Sequence, residues 1–282
     1  MRNRGAPVVV RVDRAGDGGV RVADATRQTV HGLHAVDALL DRAPERVLEL
    51  WVAAARDDRR MRELKQRAEA LGLRVQSATP QTLATLAGAG AVHQGVVAAI
   101  RPNPPWDESA LLAALDRLGE EPLLLVLDGV TDPHNLGACL RTAEAAGAHA
   151  VVIPRDRAAG VDGTARKAAA GAADFVPVVA VTNLARTLDR LKERRIWVAG
   201  TAAEAPETIY SADLRRPLAL VLGGEGSGMR RLTRERCDFL VRIPMAGRVE
   251  SLNVSVAAGI ALFEATRQRR EGDRRVASRA PG

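Results

Sequence analysis

Residues 123–141 read LLLVLDGVTDPHNLGACLR, and this stretch decides the fold class. Its first five residues are apolar without interruption, which is typical of a strand that is buried on both faces. A polar turn with Asp, Pro and Asn follows, and an apolar segment with helical spacing begins near Asn135. The stretch therefore predicts one strand–turn–helix unit of an α/β domain.

The same alternation continues along the chain to about residue 270. Strands are predicted at 123–128, 149–153, 175–180, 196–200, 218–222 and 239–243, and helices at 135–146, 162–170, 183–193 and 253–269. Apolar strands that alternate with amphipathic helices predict a parallel sheet covered by helices on both faces. Ligands bind such sheets at the carboxyl ends of the strands, where the glycine-rich and polar segments of this chain fall.

A smaller α/β unit is predicted upstream, with ordered structure beginning at Val30. Its predicted elements are a short helix near residues 34–40, strands at 47–54, 73–77 and 95–100, and helices at 57–71 and 80–86. Residues 101–105, RPNPP, predict an extended break because each Pro disfavours helix in the residue before it. We therefore expect a first domain over residues 29–101, a linker over 102–121 and a second domain over 122–270.

The basic residues are concentrated at the two ends of the chain. The 282 residues carry a formal net charge of +7. Residues 1–28 hold six Arg against three Asp, and residues 267–282 hold six Arg against two acids, so the region between them is neutral. We predict basic tails at 1–28, which we expect to be disordered, and at 271–282. Such tails favour salt-sensitive contact with phosphate, and a purely solubilising role fits them equally well.

Composition excludes several classes of protein. Hydrophobic residues make up 46% and charged residues 27% of the chain, the balance of a globular protein. No apolar run reaches the ~18 residues of a membrane span, and the amino terminus lacks the pattern of a signal peptide. Cys139 and Cys237 lack metal-ligand spacing. We therefore expect a cytoplasmic protein with no metal site, in which both cysteines are small buried residues.

Three segments at predicted strand ends hold the candidate functional residues. In the first, residues 127–141, Asn135 stands at the predicted start of a helix and Arg141 lies in an apolar part of it. An Arg on the buried side would need an anionic partner, either a substrate phosphate or an internal carboxylate. The second, LVLGGEGSGM at 220–229, is a glycine loop whose N–H groups can hold a ligand. The third, IPMAGRVESLNVS at 243–255, leads into the last helix.

Each segment also has a purely structural interpretation, which we favour when it is taken alone. Asn135, Ser251 and Asn253 are ordinary helix-capping types at predicted helix starts. The glycine loop superficially resembles a dinucleotide-binding loop, but the G-x-G-x-x-G spacing fails at Met229. It also falls late in the chain rather than after the first strand, which disfavours a dinucleotide-dependent enzyme. Phe175, Phe239 and Phe263 fall in predicted strands or helix, and we expect them in the core.

In combination and in this order, the three segments resemble the three motifs of the SpoU (TrmH) branch of the SPOUT methyltransferases, over residues 123–268. Residues 30–40, VHGLHAVDALL, and 93–95, HQG, are similar to that family's substrate-binding domain, which is related to ribosomal-protein RNA-binding folds. The resemblance implies an α/β catalytic domain with a trefoil knot, a homodimer, and S-adenosyl-L-methionine as cofactor. It also implies methylation of a ribose 2′-hydroxyl in 23S rRNA. The sequences of residues 128–141 and 243–247 are similar to those of family members that act on a guanosine of the peptidyl-transferase P loop.

The resemblance also implies which residues form the site. The implied catalytic residues are Asn135, Arg141, Glu225, Ser251 and Asn253. The implied cofactor-binding residues lie on three loops, and they are Gly200, Thr201, Ala202, Leu222, Gly223, Gly228, Ile243, Met245 and Leu252. The backbone of these loops would read the adenine edge while the apolar side chains pack on its face. Gly223→Val is expected to abolish binding, because a side chain would intrude where the backbone must approach the ligand.

Arg141 is expected to orient a phosphate and to stabilise the developing alkoxide. We do not expect it to act as the base, because a guanidinium gives up its proton only far above neutral pH, and the base is left open. Two alternatives also stay open: a tRNA 2′-O-methyltransferase of the same family, and a non-catalytic RNA-binding protein of ribosome assembly. The intact polar set argues against the second.

Overall fold

The computed structural model describes residues 27–277 apart from residues 89, 102–105, 157, 162, 170, 227 and 250. The chain divides into two compact units, one up to Pro102 and the other from Asn103. The basic tail predicted over 1–28 lies outside the described residues as far as residue 26. Ordered structure begins before Val30, because Gln28 already pairs with Ile100 in a sheet.

The first unit is a four-stranded sheet with three helices among its described residues. Its elements are β1 (Gln28–His31), α1 (Leu33–Arg42), β2 (Val47–Ala53), α2 (Arg59–Ala70), β3 (Val75–Ala78), α3 (Pro80–Ala87) and β4 (Val96–Ile100). The strand order is β1-β4-β2-β3. β4 runs antiparallel to β1 and β2, and β2 runs parallel to β3. Strand β1 was not predicted, since QTVH offers no run of apolar residues.

The second unit is a seven-stranded sheet with helices on both faces. Its elements are α4 (Glu108–Leu115), β5 (Leu123–Asp128), α5 (Pro133–Ala146), β6 (Ala150–Pro154), α6 (Gly163–Ala169), β7 (Val178–Val181), α7 (Leu184–Glu193), β8 (Trp197–Thr201), β9 (Glu207–Thr208), β10 (Leu218–Gly223), α8 (Arg231–Glu235), β11 (Phe239–Arg242) and α9 (Val254–Ala277). The strand order is β7-β6-β5-β10-β8-β11-β9, and these strands pair in parallel. The predicted parallel sheet is confirmed. The trefoil knot stays a prediction.

Strand β5 lies at the centre of this unit and explains the opening stretch of sequence. Leu123, Leu125 and Leu127 pack into an apolar layer with α5 and α9. Leu124 and Val126 point to the other face, where they pack with α4 and α7. A strand that is buried on both faces has no solvent-facing position, which is why its sequence is continuously apolar.

Several sequence-based boundaries were wrong. Helix α4 lies inside the predicted linker 102–121, and its Leu111 and Leu112 are buried against the sheet. The Pro-rich break at 101–105 obscured the short helical pattern that follows it. The predicted strand 175–180 begins only at Val178, after a 3-10 turn at Ala172–Asp174. Helix α9 continues to Ala277, so the predicted tail at 271–282 is helical as far as the described residues reach.

Phe263 was wrongly placed in the core. It is 51% exposed, together with Val256 at 50%. The buried side of α9 is formed by Val254, Ala258, Ala261 and Ala265, which repeat at helical spacing. Positions 256 and 263 lie seven residues apart on a different side of the helix.

The two cysteines are free thiols in apolar surroundings. Burial raises the pKa of Cys139 to about 12, and burial chiefly raises the pKa of Cys237 to about 12. Cys139 is fully buried, as expected, whereas Cys237 is partly exposed. The helices of the described residues include none that could span a lipid bilayer.

The packing of α5 on α6 generates a stability prediction. A Cβ added at Gly137 would lie 2.4 Å from the Ala165 carbonyl oxygen and 2.5 Å from Ala168 Cβ. Gly137→Ala should therefore destabilise the protein by about 1–3 kcal/mol, because the helices must separate. Gly272→Ala in α9 is the matched control: its Cβ would meet nothing closer than Arg215 Cδ at 3.8 Å. We expect the control to gain about 0.5–1 kcal/mol from helix propensity. Urea unfolding measures both, and equal stabilities would contradict this packing.

Candidate functional site

The carboxyl ends of four neighbouring strands meet at one edge of the second sheet. β5, β10, β8 and β11 are adjacent and parallel. They end at Asp128, Gly223, Thr201 and Arg242, and the chain continues from these ends into the segments that sequence analysis singled out. The predicted cofactor residues at 200–202, 222–223 and 243 therefore lie along a single edge, where parallel sheets bind ligands.

Three of the five predicted catalytic side chains are joined by hydrogen bonds. Asn135 Nδ2 donates to Glu225 Oε1 at 2.7 Å. Asn253 Nδ2 donates to Asn135 Oδ1 at 2.9 Å and to the same Glu225 oxygen at 3.0 Å. Among the described residues, Glu225 Oε2 accepts no hydrogen bond. The result is a polar triangle, Asn135–Glu225–Asn253, with one carboxylate oxygen left available.

Asn253 has two roles at the start of α9. Its Oδ1 accepts from Ser255 N at 2.9 Å, which is the bond of a helix cap, and from Ser255 Oγ at 2.6 Å. Because Oδ1 is taken up by these donors, the Nδ2 group must point toward Glu225 and Asn135. The capping interpretation of Asn253 is thus correct but incomplete, and Ser255 is a contributor that sequence analysis missed.

Asn135 is not a helix cap. Helix α5 begins at Pro133, and Asp132 caps it by accepting from His134 N at 2.9 Å. The side chain of Asn135 projects from the first turn and is free to join the triangle. A sequence in which Asp132 and Asn135 both suit a cap cannot say which of them is used.

The glycine loop folds back on its own strand. A Cβ at Gly223 would lie 2.1 Å from the backbone carbon of Gly228 and 2.2 Å from Met229 N. A side chain at Gly223 would therefore collide first with the backbone of the loop itself, and the expected loss of cofactor binding in Gly223→Val stays a prediction. Gly226 and Gly228 have φ of +77° and +63°, which favours glycine there. A Cβ at either would meet nothing within 4 Å, so this part of the loop borders open space.

The end of β8 contributes mainly backbone groups to the site. A Cβ at Gly200 would lie 2.7 Å from Cys237 Sγ, so the core itself requires glycine there. The Thr201 hydroxyl donates to the Val221 carbonyl at 3.3 Å, and Ala202 N donates to the Val241 carbonyl at 3.0 Å. These bonds fix residues 200–202 against the neighbouring strands.

The strand edge has the composition that an adenosine-containing ligand requires. Leu222 is buried beneath the edge, Ile243 and Leu252 are half-buried, and Met245 is 40% exposed. Apolar side chains of this kind can cover a purine face, and the open backbone at Gly226 and Gly228 can approach polar ligand atoms. The residues present therefore fit the predicted cofactor. No group of three or more His, Cys, Asp or Glu in the described ranges could hold a metal ion.

Arg141 and Ser251 are not brought into contact with the triangle. Arg141 is exposed, and it makes no ion pair with any described residue. Six helical residues separate Arg141 from Asn135, a rotation of about 240°, so the two side chains leave α5 in different directions. The predicted catalytic role of Arg141 stays a prediction. Ser251 is exposed two residues before the helix cap, and it makes no hydrogen bond within the described part of the chain.

Sequence analysis also missed Asp128. Its side chain is fully buried at the end of β5, where Oδ2 accepts from Arg230 N at 2.8 Å and Oδ1 lies 3.0 Å from Arg230 Nε. A carboxylate that ends an otherwise apolar strand was visible in the sequence. Its partner was not, because Arg230 lies 102 residues further along the chain.

Comparison with known families covers both units. Residues 122–263 match the SpoU rRNA Methylase family, and residues 29–106 match the family described as RNA 2′-O ribose methyltransferase substrate binding. These ranges contain the triangle, the glycine loop and the first sheet apart from Gln28.

Individual relatives are similar over most of the chain. The 23S rRNA (guanosine-2′-O-)-methyltransferase RlmB of Pectobacterium atrosepticum is 56% identical over 242 residues, or 86% of this chain and 98% of the relative. The RlmB of Escherichia coli K12 is 54% identical over 245 residues, or 86% and 99%. The crystal structure of the SpoU methyltransferase AviRb from Streptomyces viridochromogenes, in complex with the cofactor AdoMet, superposes with a TM-score of 0.66. It is 27% identical and covers 88% of this chain and 92% of that one.

Proposed function

Because the chain belongs to the SpoU rRNA methylase family, we propose that it transfers a methyl group from S-adenosylmethionine to a guanosine 2′-hydroxyl of 23S rRNA, in the peptidyl-transferase P loop. The names of the relatives support a guanosine of 23S rRNA as the target. The amino-acid sequences of the first and third motifs support its location in the P loop. The observation that carries the proposal is the polar triangle at the carboxyl edge of the sheet. Its three members come from segments up to 118 residues apart.

The triangle is more than a set of helix caps. Capping requires only the Oδ1 of Asn253, which Ser255 occupies. Both amide groups of the triangle are instead directed at one oxygen of Glu225. Holding an exposed carboxylate in one orientation opposes side-chain entropy, so a fold gains little from it unless the second oxygen is used. We assign that second oxygen to a hydrogen bond from the ribose hydroxyl.

The cofactor would lie along the carboxyl ends of β8, β10 and β11. The bound sulfonium supplies an electrophilic methyl group. Ile243, Met245 and Leu252 would pack on the adenine, and the backbone at 200–202, 222–226 and 228 would approach its polar edges. Glu225 and Asn135 orient the attacking hydroxyl next to that edge, which favours an in-line approach.

Arg141 and Ser251 are assigned to the RNA. Both side chains are exposed, and Arg141 has no competing ion pair among the described residues. A free guanidinium can form a forked pair with a phosphate and stabilise negative charge that develops on the 2′-oxygen. The first unit, over residues 29–101, is assigned to RNA binding, and residues 122–270 to catalysis.

A homodimer is part of the proposal. Val256 and Phe263 expose half of their surface on one side of α9, which is unusual for an aromatic side chain without a partner. We assign this side of α9 to contact with a second copy. Sedimentation equilibrium should find a dimer that Phe263→Lys weakens. Leu232→Lys, at a 52% exposed position on α8, should leave it intact. A wild-type chain that stays monomeric at micromolar concentration would exclude this interface.

The activity is tested with isotope-labelled S-adenosylmethionine and a panel of RNAs. The panel consists of a 23S rRNA P-loop fragment, the same fragment with 2′-deoxyguanosine at the target, and tRNA transcripts. We expect transfer to the first RNA alone. Transfer to tRNA would establish the tRNA alternative. RNA binding without transfer to any member would establish the non-catalytic alternative.

Arg141 variants test its assignment in the same assay. Arg141→Lys keeps the charge but loses the planar fork, so single-turnover methyl transfer should fall substantially. Arg141→Ala should fall further, by roughly 10²–10³-fold, the loss typical of one preorganised donor. Cofactor affinity by calorimetry should stay unchanged in both variants. Full activity of Arg141→Lys at neutral pH would contradict the assignment.

A further inference from the structure

The glycine loop is held at both ends by one residue that lies outside it. At its start, Gly224 N donates to the Asp128 carbonyl oxygen at 2.8 Å. At its end, Arg230 N donates to the Asp128 carboxylate at 2.8 Å. Between these points the loop carries Glu225, and Gly228 N closes the turn by donating to the Gly224 carbonyl at 3.1 Å.

Burial of the Asp128 carboxylate costs solvation free energy. Its side chain is fully buried, and Glu264, with 8% of its surface exposed, is the only other buried acidic residue in the described part of the chain. Removing a carboxylate from water is costly unless hydrogen bonds and an opposite charge compensate it. The partners of this carboxylate among the described residues, the Arg230 amide and guanidinium, both come from the end of the glycine loop. Oδ2 accepts a hydrogen bond from Arg230 N, whereas the buried Oδ1 accepts none among the described residues and faces the Arg230 guanidinium only as an ion pair at 3.0 Å. Compensation of the buried charge therefore depends on the end of the loop staying in place.

The position of Asp128 in the sheet makes it a suitable anchor. It pairs with Gly223 across the β5–β10 register, so it lies directly beside the point where the loop leaves the sheet. A Cβ at Gly224 would lie 2.3 Å from the Gly129 carbonyl oxygen, so the loop presses on the turn that follows Asp128. Met229 packs into the apolar layer beneath. Movement of the loop end would carry Glu225 with it.

We propose that Asp128 is a positioning residue for methyl transfer, one that fixes the glycine loop and thereby Glu225 and the backbone that faces the cofactor. The inference rests on the proposed function for what the loop does. Asp128 acts through the glycine loop, because its side chain is buried and does not border the open side of that loop.

The test compares two Asp128 variants with a matched control. Asp128→Ala removes the acceptor for Arg230 N, and Asp128→Asn keeps an oxygen acceptor but removes the charge. Glu264→Gln is the control, because it also removes a buried carboxylate, one that pairs with Arg267 within α9 and has no contact with the loop. All three should lose thermal stability.

Calorimetry with S-adenosylhomocysteine and steady-state kinetics separate positioning from stability. Asp128→Ala should weaken cofactor binding about 10- to 100-fold, in keeping with the loss of a hydrogen bond to a charged group. Both kcat and the KM for the cofactor should change. Asp128→Asn should lie between Asp128→Ala and wild type, and Glu264→Gln should match wild type. Asp128 variants that bind and turn over like wild type, with only a lower Tm, would overturn the inference.

Amide hydrogen exchange gives a readout that does not depend on activity. In Asp128→Asn, protection should fall at Gly224 and Arg230 while it is retained in β5 and β10. In Glu264→Gln, the loop should exchange as in wild type. Unchanged loop protection in Asp128→Asn would overturn the inference even if Asp128→Ala fails to fold. If wild type neither binds the cofactor nor transfers methyl groups, the proposed function fails. Amide hydrogen exchange in the loop then still tests whether Asp128 anchors it.

Discussion

The burial of β5 on both faces fixes the position of the elements that surround the site. A strand in this position must pair on both edges and present apolar side chains to two layers, and β5 does so between β6 and β10. Its carboxyl end is then a fixed point. The turn to α5 places Asn135 on one side of that point, and the parallel register with β10 places Gly223 beside Asp128. The site is assembled around the end of this one strand.

The polar residues at that end serve the fold and the site together. Asn253 caps α9 with one end of its amide and holds Glu225 with the other. Asp128 compensates its burial through Arg230 and so closes the glycine loop. Structural and functional interpretations of such residues are therefore not alternatives. A capping interaction fixes the side chain, and a fixed side chain is what an oriented reaction needs.

Sequence-based errors share a physical origin. Helix α4 is short and follows a Pro-rich break, so its apolar pattern has too few repeats to outweigh the break. Strand β1 is an edge strand with few apolar residues, and its place is set by pairing with β4. Phe263 was assigned to the core because it falls in a predicted helix, and Arg141 was expected at the site because its helical neighbours are apolar. The side that a helical residue faces depends on which side of the helix is packed, and local composition does not show this.

The fold class, the two-unit organisation and the three segments that carry the site could be predicted from the sequence. These follow from periodicity and from local residue types, which act over a few positions along the chain. Which side chains meet could be seen only in the folded chain. Asn135 and Asn253 are 118 residues apart, and Asp128 and Arg230 are 102 apart. Contacts at such separations depend on strand order and register, and these are set by packing of the whole sheet rather than by any local pattern.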